Sequence, residues 1–462
     1  GAGLTRGNDF PMTTTLIKAG HLLTLDDALG DIAGGQILIE NGAIKEVGRN
    51  LDTPPDSEII EAADMIVMPG LVNAHMHTWQ TGIRGVAGDW SLGDYMGHMH
   101  ANLATQFAPE DLYLANLLGA LNQINCGATS LFDWCHNNPT PEHTDRAIDG
   151  LEEAGIRALF AHGTPKPDVE KDGMPHSEMP HPEAEIKRLA TGRLSNRGAL
   201  VTLGMAIRGP DISTWEVAEH DVRLAGEYEL VASAHMGGRP GGGMTKGGIG
   251  KLNDANLLGP AYNVVHGCQL TDDEFQMIGD AGATVSSCPE VEMQMGHGHP
   301  VCGRILAAGG APSLGVDIES NISGDMFTVM RMALQHQRAA DNQKIIDTGA
   351  SPGKVSIAAR QALKWATIEG ARAMGLDSST GTLTPEKQAD LIMIRTTDLN
   401  LYPVNNAAEA AIFQAGIGNV DTVMIGGAVL KRGGKLVYPK LNEKKEALAE
   451  SGRRILKDAG LA

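Results

Sequence analysis

The run IVMPGLVNAHMHTWQ carries His75-Met76-His77 close to its end. Residues two apart on a strand face the same side, so both imidazoles would leave one strand end together, the arrangement that clamps one metal ion. An isolated HxH is common by chance, and its bland reading is two solvated or hydrogen-bonded histidines. The remaining candidates raise its weight. His235 closes ELVASAH, His266 closes YNVVH and Asp317 closes APSLGVD, each a polar residue ending an apolar, strand-like run. The gaps from His77 to His235, His235 to His266 and His266 to Asp317 are 158, 31 and 51 residues, or four units of about 40, one of about 31 and two of about 25, which fits the C-terminal ends of strands 1, 5, 6 and 8 of a (β/α)8 barrel, the face where barrel active sites lie.

The elements needed to hold such a set are legible around it. GATSLFDW, HTDRAIDGLEEAGI, RALFAHG and ALVTLGMAI alternate strand-like and helical texture, the pattern of parallel βαβ units. Helix signals cover Asp221–Tyr228, Thr271–Ala281 with a Thr271/Glu274 capping box, and Asp325–Gln337. From Leu16 to Val67 the chain instead reads as short strands, with Asn41-Gly42 as a hairpin turn, and similar texture returns at 389–396 and 420–438. The expectation is an α/β fold: a TIM-like barrel at 67–378 and a small β-sandwich built from 12–66 and 379–440, followed by an amphipathic surface helix at 441–462. Residues 1–11 precede Met12 and read as a remnant of recombinant expression. The stretches 165–182 and 237–250 read as long loops of the lid or binding kind.

Taken in order, VMPGLVNAHMH, GATSLFD, EEAGIRA, SSCPEVEMQMG, LGVD and ATIEGARAMGL…GTLTPEKQADLIMI resemble the amidohydrolase superfamily over about Leu16 to Tyr438. Within it they are similar to the group of chlorotriazine hydrolases and S-adenosylhomocysteine, methylthioadenosine and guanine deaminases. The resemblance implies one divalent ion per chain, Zn2+ or alternatively Fe2+, held by His75, His77, His235 and Asp317. His266 would stand beside it, hydrogen-bonding the activated water or adding a ligand. Imidazole and carboxylate suit both metals, and such an ion lowers the pKa of water from 15.7 towards about 7. Asp317 would accept the proton and pass it to the leaving group.

Two positions depart from the family pattern. Many such deaminases carry glutamate three residues after the strand-5 histidine, where this chain has Gly238, and histidine after the strand-7 serine, where it has Ser287-Cys288. These changes leave room for an amide, ring-opening or dehalogenating hydrolase. Glu319, two residues after Asp317, is the leading replacement acid, ahead of Glu290, Glu292, His297 and His299; for each the bland reading is a solvated or hydrogen-bonded loop residue. Gln80, Trp90, His98, Trp134, His136 and Glu292 are the candidate substrate contacts, with Trp79, His100 and His162 nearby and ordinary packing as their alternative.

With 56 acidic against 37 basic residues, the net charge of -19 disfavours nucleic acid and anionic membranes. Five scattered cysteines without a CxxC pair suggest reduced core thiols, and a cytoplasmic protein is expected. Dimers or higher homo-oligomers are an expectation carried by the resemblance alone. Three functions stand: hydrolytic deamination or dechlorination of an N-heteroaromatic small molecule, hydrolysis of a cyclic amide or imide, and a catalytically silent barrel serving as a binding module.

Overall fold

The structure, a computed structural model, describes residues 13–166 and 173–462. The expectation for residues 1–11 lies outside the described residues.

The chain opens with β1 (Thr14–Leu23), β2 (Asp31–Ala33), β3 (Gln36–Glu40), β4 (Ala43–Gly48) and β5 (Glu58–Pro69). Asn41 and Gly42 form the β3–β4 turn with φ of 51° and 83°. This positive pair is what a two-residue hairpin matched to strand twist requires. Gly42 has a second reason to be glycine, because a Cβ there would run into the Gly426 carbonyl of the C-terminal segment.

Eight parallel strands follow: β6 (Leu71–Met76), β7 (Ala128–Cys135), β8 (Arg157–Gly163), β9 (Val201–Ala206), β10 (Ala232–Met236), β11 (Tyr262–His266), β12 (Thr284–Ser287) and β13 (Pro312–Leu314). They pair in sequence order, and a parallel bridge between Met76 and Asp317 brings the last back to the first. This is the barrel. Its strands are almost wholly buried because helices such as Pro109–Asn125, Pro141–Ala154 and Trp215–Glu227 cover them, which explains their near-continuous apolar runs. The Thr271/Glu274 capping box forms, and Asp325 caps the helix Met326–Ile346.

The chain then returns to the first sheet with β14 (Leu391–Arg395), β15 (Val420–Ile425), β16 (Ala428–Arg432) and β17 (Lys435–Leu436). The order β17-β16-β15-β14-β5-β1-β3-β4, with β2 beside β1, makes one nine-stranded sheet from both ends of the chain. Its seam is the antiparallel pairing of β14 with β5, from Leu391 opposite Pro69 to Arg395 opposite Met65. The boundary expected at 66/67 falls inside β5, since that strand runs on to Pro69 before the barrel begins at Leu71. Ile17, Leu22, Ile37, Val67, Leu391, Met393 and Met424 pack its core.

The last helix, Leu441–Asp458, buries Leu448, Ser451, Gly452 and Ile455. Ser451 Oγ donates to Asp111 at 2.6 Å, Arg454 pairs with the same carboxylate, and Asn102 Nδ2 donates to the Ala459 carbonyl at 2.9 Å. It therefore straps down the segment between β6 and the helix Pro109–Asn125. Among the described residues, no helix is long and apolar enough to cross a membrane.

Candidate metal centre

Five side chains converge at the C-terminal end of the barrel. His75 and His77 stand at the end of β6, His235 in β10, His266 at the end of β11, and Asp317 just beyond β13. His75 Nε2 and His77 Nε2 each lie 3.3 Å from Asp317 Oδ1, and His266 Nε2 lies 3.6 Å from Oδ2. The potential ligand atoms of His75, His235, His266 and Asp317 all lie within 4.8 Å of one another. The His235 ring is 5.0 Å from that of His75 and 5.2 Å from that of His77, centroid to centroid.

The backbone holds this meeting point under local strain. His77 N donates to Asp317 O at 2.7 Å, and Asp317 N donates to His75 O at 3.0 Å. Gly315 permits that approach, because a Cβ there would stand 2.6 Å from the His75 carbonyl oxygen. His266 and Asp317 adopt φ of 69° and 66°, left-handed conformations that cost a non-glycine residue about 1–2 kcal/mol each. Asn73 adds a cross-tie by accepting from Val316 N at 3.2 Å.

The donor set fits a divalent cation. His75 is fully buried, yet among the described residues neither of its ring nitrogens makes a well-aligned hydrogen bond, and a metal at Nε2 would supply the partner that this nitrogen lacks. Burial, then the neighbouring His75, pushes His77 down to about 3, and burial also drives His75 and His235 below the ordinary range. All three thus offer neutral lone pairs at neutral pH. Burial alone would raise Asp317, but His75, His266 and His77 around it hold the carboxyl well below its usual value. The tautomer of His77 is set from behind, where Nδ1 donates to the Trp134 carbonyl at 2.7 Å and leaves Nε2 facing inward.

Against known proteins, the profile of the Amidohydrolase family matches residues 66–430. The chain belongs to the amidohydrolase family. It is 27% identical over 439 residues to 5-methylthioadenosine/S-adenosylhomocysteine deaminase of Pyrococcus furiosus, covering 93% of this chain and 97% of that protein. It is 28% identical over 437 residues to 5'-deoxyadenosine deaminase of Methanosarcina mazei, covering 91% and 93%. Among solved structures, an adenosine deaminase from Xanthomonas campestris with bound zinc superposes with a TM-score of 0.82 at 23% identity, covering 96% of this chain and 99% of that one. Atrazine chlorohydrolase from Arthrobacter aurescens complexed with zinc gives 0.83 at 20%, covering 95% and 100%. The architecture is accordingly the amidohydrolase barrel with its companion sheet, and the chain is a hydrolase of that class.

Around the centre of this amidohydrolase the other candidate residues sort by what they touch. Trp134 and His136 line the centre: the Trp134 ring lies 4.4 Å from His235, and His136 stacks on His77 at 3.9 Å. Trp134 Nε1 donates to Ser233 Oγ at 3.1 Å, so its indole is fixed. Trp79 donates to His136 Nδ1 at 2.9 Å, and His100 packs 4.5 Å from His136 and 5.0 Å from Tyr95. Burial, then Lys166, lowers His100 to about 3. On the other side His297 stands 4.6 Å from His266.

Other expected contacts are engaged elsewhere. Gln80 is buried with both ends occupied, donating to Tyr95 Oη at 2.6 Å and accepting from Ser320 Oγ at 2.6 Å. Trp90 and the exposed His98 pair with each other at 5.1 Å. Glu319, expected as the replacement acid, has its carboxylate engaged away from the centre: it is 2.6 Å from Arg84 Nη2 and accepts from Asn122 Nδ2 at 2.8 Å, an ion pair between a buried carboxylate and a half-exposed guanidinium. Glu292, expected against substrate, is fully buried behind His266, whose Nδ1 lies 3.0 Å from its Oε1. His162 instead pairs with His181 at 2.8 Å. Tyr95 was invisible to sequence reasoning, because a lone tyrosine in a loop carries no spacing signal.

Proposed function

We propose that this amidohydrolase hydrolyses a small N-heteroaromatic substrate, removing an amino group or a chloride, with one Zn2+ per chain in preference to Fe2+. The observation carrying this reading is the convergence of His75, His77 and His266 Nε2 on the two oxygens of one buried carboxylate, Asp317, with His235 beside them. His75, His77, His235 and Asp317 would hold the ion, which when bound supplies Lewis acidity and brings the ionisation of water near neutral pH.

The chain's own groups then have distinct tasks. Asp317 Oδ1 faces His75 and His77, while Oδ2 faces His266. Oδ2 is thus the oxygen suited to take the proton of attacking water and return it to the departing atom. His266 Nε2 orients that exchange. Trp134, His136, Trp79, His100 and Tyr95 make an aromatic and imidazole wall, which favours a planar ring lying against it. The names of the relatives, which include adenosine-type deaminases and an atrazine chlorohydrolase, support this substrate class. Five buried free thiols fit a reducing, cytoplasmic setting.

A second reading, hydrolysis of a cyclic amide or imide, is favoured by the backbone after His235. Gly237 is packed so closely on Gly267 that a Cβ would lie 2.8 Å from its carbonyl carbon, and Gly238 offers only its N–H, at 3.2 Å from Asp211. No ring-protonating carboxylate stands at that position. The test is a panel of 5'-deoxyadenosine, S-adenosylhomocysteine, atrazine and cyclic imides, with ammonia and chloride both measured. Metal analysis should find about one zinc per chain, and Asp317→Asn should lower kcat by about 10²- to 10⁴-fold in a folded protein. A folded, metal-free and inert wild type would leave the binding-module reading instead.

A further inference from the structure

Glu292 belongs to the short helix Pro289–Met295 that follows β12, and none of its side chain reaches solvent. Three donors meet its carboxylate. Oε1 accepts from Cys288 N at 2.6 Å and lies 3.0 Å from His266 Nδ1, and Oε2 accepts from Ser287 Oγ at 2.8 Å. A carboxylate so held is only an acceptor, so the imidazole nitrogen facing it must carry the hydrogen. The opposite nitrogen, Nε2, then points at Asp317 Oδ2 from 3.6 Å. His266 is also held in a left-handed backbone conformation at the end of β11.

We propose that Glu292 is the positioning residue for His266: it fixes the ring with Nδ1 protonated and Nε2 presented to the reaction centre. The inference rests on reading this centre as hydrolytic. Ser287 and Cys288 occupy the segment where the family resemblance leads one to expect histidine, and here they serve to anchor the carboxylate. Glu292 acts through His266 and does not touch substrate. A partner of this kind typically contributes 10- to 100-fold to activity or metal affinity.

Glu292→Gln and Glu292→Leu separate positioning from mere filling of space. The amide oxygen of glutamine still accepts from Nδ1–H and from Cys288 N, and its NH2 can donate to Ser287 Oγ. Leucine accepts nothing. In zinc-loaded protein carrying 15N-labelled histidine, the His266 signal, assigned by its loss in His266→Asn, should keep the Nδ1–H pattern in Glu292→Gln and move towards the Nε2–H pattern in Glu292→Leu. On a substrate turned over by wild type, Glu292→Leu should lose about 10- to 100-fold in kcat with KM within about twofold, while Glu292→Gln recovers much of it. Should the leucine variant fail to fold, Glu292→Asp, whose shorter arm does not reach Nδ1, reads the same signals. An unchanged His266 spectrum in the variants lacking the acceptor overturns the proposal, as does undiminished kcat. If wild type is inert on the whole panel, the functional reading falls, and the spectrum alone decides the role of Glu292.

Discussion

Glu290 stands two residues before the carboxylate that holds His266, and its circumstances are the opposite. Among the described residues its Oε2 is buried without a partner, and burial, then the charge of Asp325, pushes its carboxyl from 4.5 up to about 7. The folded chain therefore holds a proton that the unfolded chain has released between pH 4.5 and 7. The sign follows: this site favours the fold fully below about 4.5 and loses that contribution as pH rises through 7. Glu290→Gln keeps the protonated shape at every pH. It should stabilise the protein by about 1–2 kcal/mol at pH 8, allowing for partial exposure, and by nothing measurable at pH 4.5. Urea unfolding at the two pH values reads this, and an equal shift at both would remove the explanation. At this scale the sequence reveals residue type and place but not company. His75, His77, His235, His266 and Asp317 were legible because each ends a strand, and strand ends meet in a barrel. For Glu319 the sequence carried no sign that its oxygens are taken by Arg84 and Asn122, which join it only through tertiary contact.

The elements were more legible than their partners. Alternating strand and helix texture gave the barrel, Asn41-Gly42 gave its hairpin, and Thr271 and Asp325 marked helix starts that the structure keeps. The last helix was expected at the surface from its amphipathic pattern, and its buried stripe straps the segment carrying Trp79, Tyr95 and His100. Amphipathicity shows that a helix has an inner face but not what that face covers. Ending the chain after Lys440 would expose the surfaces that cover Leu448 and Ile455, each worth about 1.5–3 kcal/mol when buried. It would also strip Asp111 of Ser451 and Arg454. We expect the truncated protein to retain its metal content but to lose melting temperature and to show raised KM, because the aromatic wall loosens while His75, His77, His235 and Asp317 stay at the barrel end. Unchanged KM in the truncated protein would separate the strap from the site.

A buried ion pair joins the barrel to the companion sheet. Arg157, at the start of β8, sends Nε to Asp390 Oδ2 at 2.6 Å and Nη2 to Oδ1 at 3.1 Å, while Thr380 Oγ1 and Gly426 N complete the carboxylate at 3.0 and 2.7 Å. Asp390→Ala leaves a guanidinium buried without its counter-charge, which should cost about 3–5 kcal/mol, and the apolar double replacement Arg157→Met with Asp390→Leu should recover most of it. A single-variant loss below about 1 kcal/mol in chemical denaturation would show that the joint does not depend on this pair. The seam of β5 with β14 has a consequence for how the molecule is made. As the chain leaves the ribosome, the edge of β5 from Met65 to Pro69 emerges early, while its partner, Leu391 to Arg395, is translated only after every barrel strand. Throughout that interval the nascent polypeptide displays an unpaired, apolar strand edge, the kind of surface that invites intermolecular pairing. Expression yield should therefore respond to translation speed and chaperone supply more than the stability of the finished protein would suggest.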